Sequence, residues 1–518
     1  MRKWLKRIAF VLAALATLLA LIWAEENYRG KRAWEACRRE LEAKGEKLDW
    51  AAFAPPQVPD DQNFLKTPFL AAALAAPTNA LAFDEEPPKN ATQERLAQQW
   101  QWASWLTPGD WRRGTVASLE QWQQELRATN DSRFDAGRVM RYGLSTNAPS
   151  TPAQPAITDP DWLALRARPA GTPLEDLQFL LQQHRADLDE LRAAARRPYA
   201  VFEESQFEPS AALPRYAVLK SLVAPFRASA CVELEAGKPD AALADIATIF
   251  ALAEAAGSEP VLIGGLVQIA IIDLSLQPVW FGLAKHLWQE PQLVQLEARL
   301  ARMNIVADIQ RCLRGERTYA LALMTGGNAG GGAKSDPSDS ATRNALRSLP
   351  AGFRYQSEVH IARAVQFLID KFDPAGPSVK LSTDMSLEVR SYFKRRTLYN
   401  TLAYMLLPAL AKADEKAASE QAGVTLARVA CALERHRLAT GAYPEQLTEL
   451  TPRFIDRLPV DPVNGQPLKY RREAPDRFVL YSVGFNLKDD GGQPGVTSKG
   501  APNAREGDWV WRSEPVTN

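Results

Sequence analysis

The sequence predicts a mainly α-helical protein: an N-terminal transmembrane helix, a helical body, and a C-terminal α+β unit in which one long helix lies on a small antiparallel sheet. Three observations carry this. An apolar run, Ile8 to Ala24, follows a basic start. Helical periodicity dominates residues 94–324. After a helical pattern that stops at Thr440-Gly441, the chain turns to short runs that alternate at period two. At 518 residues, 46% hydrophobic and 24% charged, the chain has the composition of a folded protein with more than one core. A formal net charge of +1 argues against wrapping nucleic acid, and no nucleic-acid partner is expected.

The order read from the sequence begins with a membrane anchor (1–24), a juxtamembrane helix (25–53) and a Pro-rich linker (54–93). A helical body (94–324), a flexible Gly/Ser loop (325–346), a connector (347–395) and the α+β unit (396–518) follow. Met1-Arg-Lys-Trp-Leu-Lys-Arg7 is basic, and only Thr17 interrupts the apolar run that follows. A cleaved signal peptide is the rival reading, but Ile22 stands where a small residue should precede a cut after Ala24. Trp34, Cys37 and Leu41 then share one stripe, so the helix is expected to continue out of the membrane as an uncleaved anchor. The basic residues before the span predict a cytoplasmic amino end and an exported body, although Arg29, Lys31 and Arg32 on the far side oppose this.

Pro55-Pro56, Val58-Pro59 and Pro87-Pro88 mark the linker as extended chain. Trp100, Trp102, Trp105, Trp111 and Trp122 crowd the start of the body, where packing between helices is favoured over an aromatic binding platform. Residues 214–257 read as a helical hairpin: Gly237 caps the first arm and Pro239-Asp240 restarts the second, while Pro225 should kink the first. With Ala241-Ala-Leu-Ala-Asp245 it is similar to a tetratricopeptide unit, but no 34-residue period accompanies it. Val261 to Ala284 is long enough to span a membrane, yet Asp273 and Pro278 interrupt it, so a buried core helix is expected. The Gly-rich run from Thr325 to Ser335 lacks the Gly that must precede Lys334 in a phosphate loop.

No catalytic set is visible. His184, His286, His360 and His436 have no HExxH partner, and His184 and His436, on charged helical stretches, are expected to be solvated. Cys37, Cys231, Cys312 and Cys431 form no CxxC pair and read as buried thiols.

In the C-terminal unit, Leu426, Val429, Ala430 and Leu433 give one stripe to bury and Gly441 is placed to end the helix. Strands are expected at Leu468 to Arg471, Phe478 to Val483 and Trp509 to Trp511, the first two pairing across Ala474-Pro-Asp476. The run Ala432-Leu-Glu-Arg-His-Arg-Leu-Ala-Thr-Gly-Ala-Tyr-Pro444, then Leu458-Pro-Val-Asp-Pro462, Asn464-Gly-Gln-Pro467, Tyr470 and Phe478-Val-Leu-Tyr-Ser-Val-Gly484, resembles the major pseudopilin of type II secretion systems. Anchor, helical body and tail together resemble large membrane-anchored bacterial proteins that carry such a module.

The resemblance implies a calcium-binding loop at Asn486, Asp489 and Asp490, closed by Asp508, a set of hard oxygens on a Gly-rich turn. Read from the residues alone, the same stretch is an acidic surface turn. The chain lacks the Gly cleavage site and Phe-Thr-Leu-x-Glu run of a pilin, and its stem, Leu398 to Leu410, is internal and too short to span a bilayer. That stem is therefore expected to be sheltered against the helical body. The resulting expectation is a single-pass protein of a bacterial inner membrane, its bulk on the periplasmic side. It would bind protein partners, secretion or pilus components among them. The alternatives are an exported enzyme with its active site in the helical body, or a solute- or glycan-binding scaffold.

Overall fold

The computed structural model describes residues 2–53, 56–75, 90–128, 160–202, 209–325, 344, 348–381, 385–393, 395–497 and 502–516. The first element is one unbroken helix, α1 (Arg2–Ala43). Its apolar half is bare: Phe10, Leu12, Leu19 and Ile22 are all more than half exposed. The uncharged stretch from Ile8 to Trp23 rises roughly 23 Å at 1.5 Å per residue, and Lys6 and Arg7 precede it. The other apolar helix of spanning length, Leu262–Ala284, is mostly buried in the body, as Asp273 and Pro278 implied.

The second half of α1 is packed. It lies along α9 (Ala351–Ile369), and the two run in the same direction. Gly30 meets Gly352, Cys37 and Leu41 cluster with Val359 and Ala362, and Arg363 reaches Glu40 at 3.0 Å. A Cβ on Gly352 would sit 2.6 Å from the Glu26 backbone, so this crossing admits only glycine without a shift. Asn27 Oδ1 accepts from the Gly352 N–H at 2.6 Å, satisfying one orphan donor at the start of α9.

Between them the body is built from α2 (Pro173–Gln183), α3 (Arg185–Ala194), α4 (Val223–Glu235), α5 (Pro239–Ala256), α6 (Leu262–Ala284), α7 (Glu290–Leu300) and α8 (Ile305–Thr325). The expected hairpin is α4–α5, joined by a turn in which the Lys238 N–H bonds to the Glu233 carbonyl. Pro225 does not kink an arm; the chain breaks at Leu222 and Pro225 falls in the first turn of α4, where its missing N–H has no intrahelical partner to lose.

α10 (Thr401–Ala411) and α11 (Ala413–Thr440) follow. α10 buries Ala403, Leu407 and Leu410 on the side that packs against α9 and leaves Leu398, in the turn before it, and Met405 exposed. The stem is thus sheltered along one face only. α11 departs further from expectation. Instead of one stripe it is buried on nearly all sides from Ala417 to Glu434, because α6, α7 and α8 pack on it as well as the sheet. Its small residues, Ala417, Ala418, Ala422, Gly423 and Ala427, let these neighbours approach. One hydrophobic core consequently runs from the body through α11 into the tail. Gly441 ends the helix in the left-handed region, φ 87°, its N–H bonded to the Arg437 carbonyl.

The sheet is β1 (Lys469–Ala474), β2 (Arg477–Ser482) and β3 (Trp509–Arg512), antiparallel in that order. Its inner face covers α11, and the Trp280 indole of α6 donates to the Arg512 carbonyl at 2.8 Å. Two further readings are corrected. Residues 56–75 are not extended: three short helical segments there bury Phe64, Leu65, Phe69 and Leu70, since apolar residues between the prolines outweigh the linker composition. His184 is not solvated; it is buried at the α2–α3 joint, edge-on to Trp100 and 3.3 Å from Asp161. The Gly-rich run beyond Thr325 lies outside the described residues.

Candidate functional site

The motif residues of the tail gather around two buried carboxylates, Glu434 and Asp461. Glu434, on the last turns of α11, accepts from Tyr443 Oη at 2.8 Å and from Arg437 at 2.7 Å, and its other contact is His286 Nδ1 at 3.0 Å. Burial would raise its pKa, but these hydrogen bonds outweigh it and hold the group down to about 2. Tyr443 packs on Phe478, and Tyr470 donates to the Pro444 carbonyl at 2.7 Å. Asp461 is buried and accepts from Ser482 Oγ at 2.8 Å and the Val483 N–H at 3.0 Å, pinning the end of β2. Each of these residues holds a joint of the fold.

Asn486, Asp489, Asp490 and Asp508 are brought into one loop, with their oxygens engaged inside the chain. Asp508 is buried and its carboxylate accepts from the backbone N–H groups of Asp490 and Gly492, at 3.2 and 2.7 Å. Asn486 Nδ2 donates to Asp490 at 2.8 Å. Asp489 accepts from the Gly491 N–H at 3.1 Å and from Tyr481 Oη at 3.1 Å, and pairs with Lys469 Nζ at 3.2 Å. Burial pushes the Asp508 carboxyl up, and the nearby Asp490 and Asp489 charges add to this, against the pull of the two N–H donors. Among the described residues no three His, Cys, Asp or Glu side chains are grouped as a metal ion would require.

A concave site that the sequence did not single out lies on the body. α2, α3, α4 and α5 enclose a half-open groove of about 420 Å³ lined by Gln178, Gln182, Arg185, Asp189, Arg192, Glu233 and Lys238. Its floor is held by Arg192, which donates to Asp189 at 2.7 Å, to Ser229 Oγ at 3.0 Å and to the fully buried Asp245 at 2.6 Å. Burial drives the Asp245 pKa up to about 6 in spite of that guanidinium. Amides and charges of both signs on a helical surface suit hydrogen bonding to a peptide backbone and its side chains. The sequence did hold partial signals. Thr172-Pro-Leu-Glu175 is a capping box that starts α2, with the Thr172 hydroxyl accepting at 3.2 Å and Glu175 at 2.8 Å.

Two other carboxylates approach each other where α6 faces α11. Arg112 bridges Asp273 at 2.8 Å and Glu420 at 3.3 Å and lies over the Trp111 ring. Burial raises the Glu420 carboxyl well above its ordinary range. Asp273, at the centre of an apolar helix, thereby finds its partner at the edge of the body. Comparison of the chain with protein-family models, curated proteins and solved structures finds no match.

Proposed function

We propose that this protein is a membrane-anchored, exported binding protein whose helical groove between α2–α3 and α4–α5 holds a segment of a protein partner. The partner class suggested by the tail's resemblance is a component of a secretion or pilus-like apparatus. The groove carries the reading: it is half-open and presents amide and charged side chains of both signs, with Arg185 and Arg192 each paired to Asp189. Against the glycan-scaffold alternative, Trp100, Trp102, Trp111 and Trp122, four of its five tryptophans, are between 0% and 4% exposed.

The test is a photoreactive residue placed at the exposed Gln182 in the full chain, in its own membrane, with Lys488 as the control position. A discrete protein adduct at 182, absent at 488 and weakened by Lys238→Glu, supports the reading. The same adduct pattern at both positions overturns it. Calcium at the loop from Asn486 to Asp490 is proposed on the resemblance alone; a full-chain melt whose midpoint is the same in calcium and in chelator removes it.

A further inference from the structure

We infer that the body is seated on the bilayer surface, with the turn Leu398–Asn400 and the start of α9 pressed against anionic headgroups beside the point where α1 leaves the membrane. The inference rests on the anchor reading of α1 and adds a second contact to it. Leu398 is 77% exposed, the most exposed large apolar side chain among the described residues. Its height relative to the membrane is fixed by its neighbours. Tyr399 packs at a tilt on Phe353 with ring centroids 5.7 Å apart and lies against Glu26 and Arg29. Because α1 is unbroken, Glu26 sits only roughly 5 Å beyond Trp23, the aromatic residue at the end of the bare span. That height is within the headgroup layer, from which a large apolar side chain can reach the boundary with the acyl chains.

The surroundings match such a surface in charge. Arg395 and Arg396 next to Leu398, and Arg29, Lys31 and Arg32 on α1, are all exposed and outnumber Glu25, Glu26 and Glu35 on the same stretch of α1; Arg29 pairs with Glu26 at 2.7 Å and Arg396 lies over the Tyr404 ring. Basic residues at this height are drawn to anionic lipid. The rest of the body stands away from the bilayer, because α9 runs outward in parallel with α1. A second exposed leucine, Leu387, is 64% exposed, but its helix joins the far end of α9, where Lys371 Nζ meets Glu388 at 2.6 Å. From Gly352 to Lys371 the helical rise is roughly 28 Å, so Leu387 lies beyond the reach of headgroups. A bilayer, already placed at residue 24 by the anchor, is the occupant that explains both the position of Leu398 and its basic collar.

The four native cysteines are buried, so a single introduced cysteine can be labelled in the full chain with an environment-sensitive fluorophore. Three variants, Trp23→Cys, Leu398→Cys and Leu387→Cys, are placed in nanodiscs containing phosphatidylglycerol, with and without lipids bearing a nitroxide near the headgroup. The expected result is about a twofold loss of emission at 23 and at 398 and little change at 387. Adding Arg395→Glu and Arg396→Glu should reduce the quenching at 398 alone. Quenching at 23 without quenching at 398 overturns the seat and leaves the anchor standing. Quenching at neither position removes the anchor reading and the seat with it. A blue-shifted but unquenched label at 398 places protein there instead of lipid, and overturns the inference too.

Discussion

Glu434 illustrates what single buried charges do in this protein. Its folded pKa is depressed, so its contribution to stability is fully present above the ordinary value of 4.5 and is lost as pH falls toward about 2. Glu434→Gln should destabilise the chain at neutral pH by roughly 3 kcal/mol, following the linkage between pKa shift and stability. Urea unfolding should show the two proteins converging near pH 2; a gap that persists there would contradict the assignment. Arg192 works in the opposite sense, by compensating a carboxylate that burial disfavours. With its pKa already about 6 beside the guanidinium, Asp245 would take up a proton once that cation is gone, so Arg192→Ala should cost about 1–3 kcal/mol at neutral pH through the buried hydrogen bonds it breaks. Arg192→Met with Asp245→Leu should recover most of that loss in the same denaturation series.

At the scale of elements, the joint between α1 and α9 depends on two glycines in backbone contact. Gly352→Val would force the helices apart and should lower stability by about 1–3 kcal/mol, while making the second half of α1 more open to proteolysis. A variant digested at the parental rate would refute that. This contact was not legible in the sequence, because nothing local to Gly30 or Gly352 signals a partner more than three hundred residues away. What was legible had local causes. Gly441 ends α11, Gly237 and Pro239 turn the α4–α5 hairpin, and alternation places β1, β2 and β3 within a few residues of the expected spans. The groove shows both sides of this. Its hairpin could be read from the turn chemistry, whereas the packing of α2 and α3 against it could not. The sequence misleads where neighbours decide burial: at His184, at residues 56–75 and on the far sides of α11.

For the whole molecule, the tail is not an appendage on a stem. α11 is the common wall of body and sheet, held by α6, α7 and α8 on one side and by β2 and β3 on the other. A fragment starting at residue 396 would expose apolar surface along most of α11 and should be largely unfolded by circular dichroism. The central claim, that body and tail share one core organised on α11, is tested most directly by native-state hydrogen exchange on the full chain. Amides of residues 413–440 should be among the slowest in the protein and open together with those of α6 and α8 at one denaturant dependence. Exchange of residues 413–516 as a separate unit, opening while α6 and α8 stay protected, would contradict it.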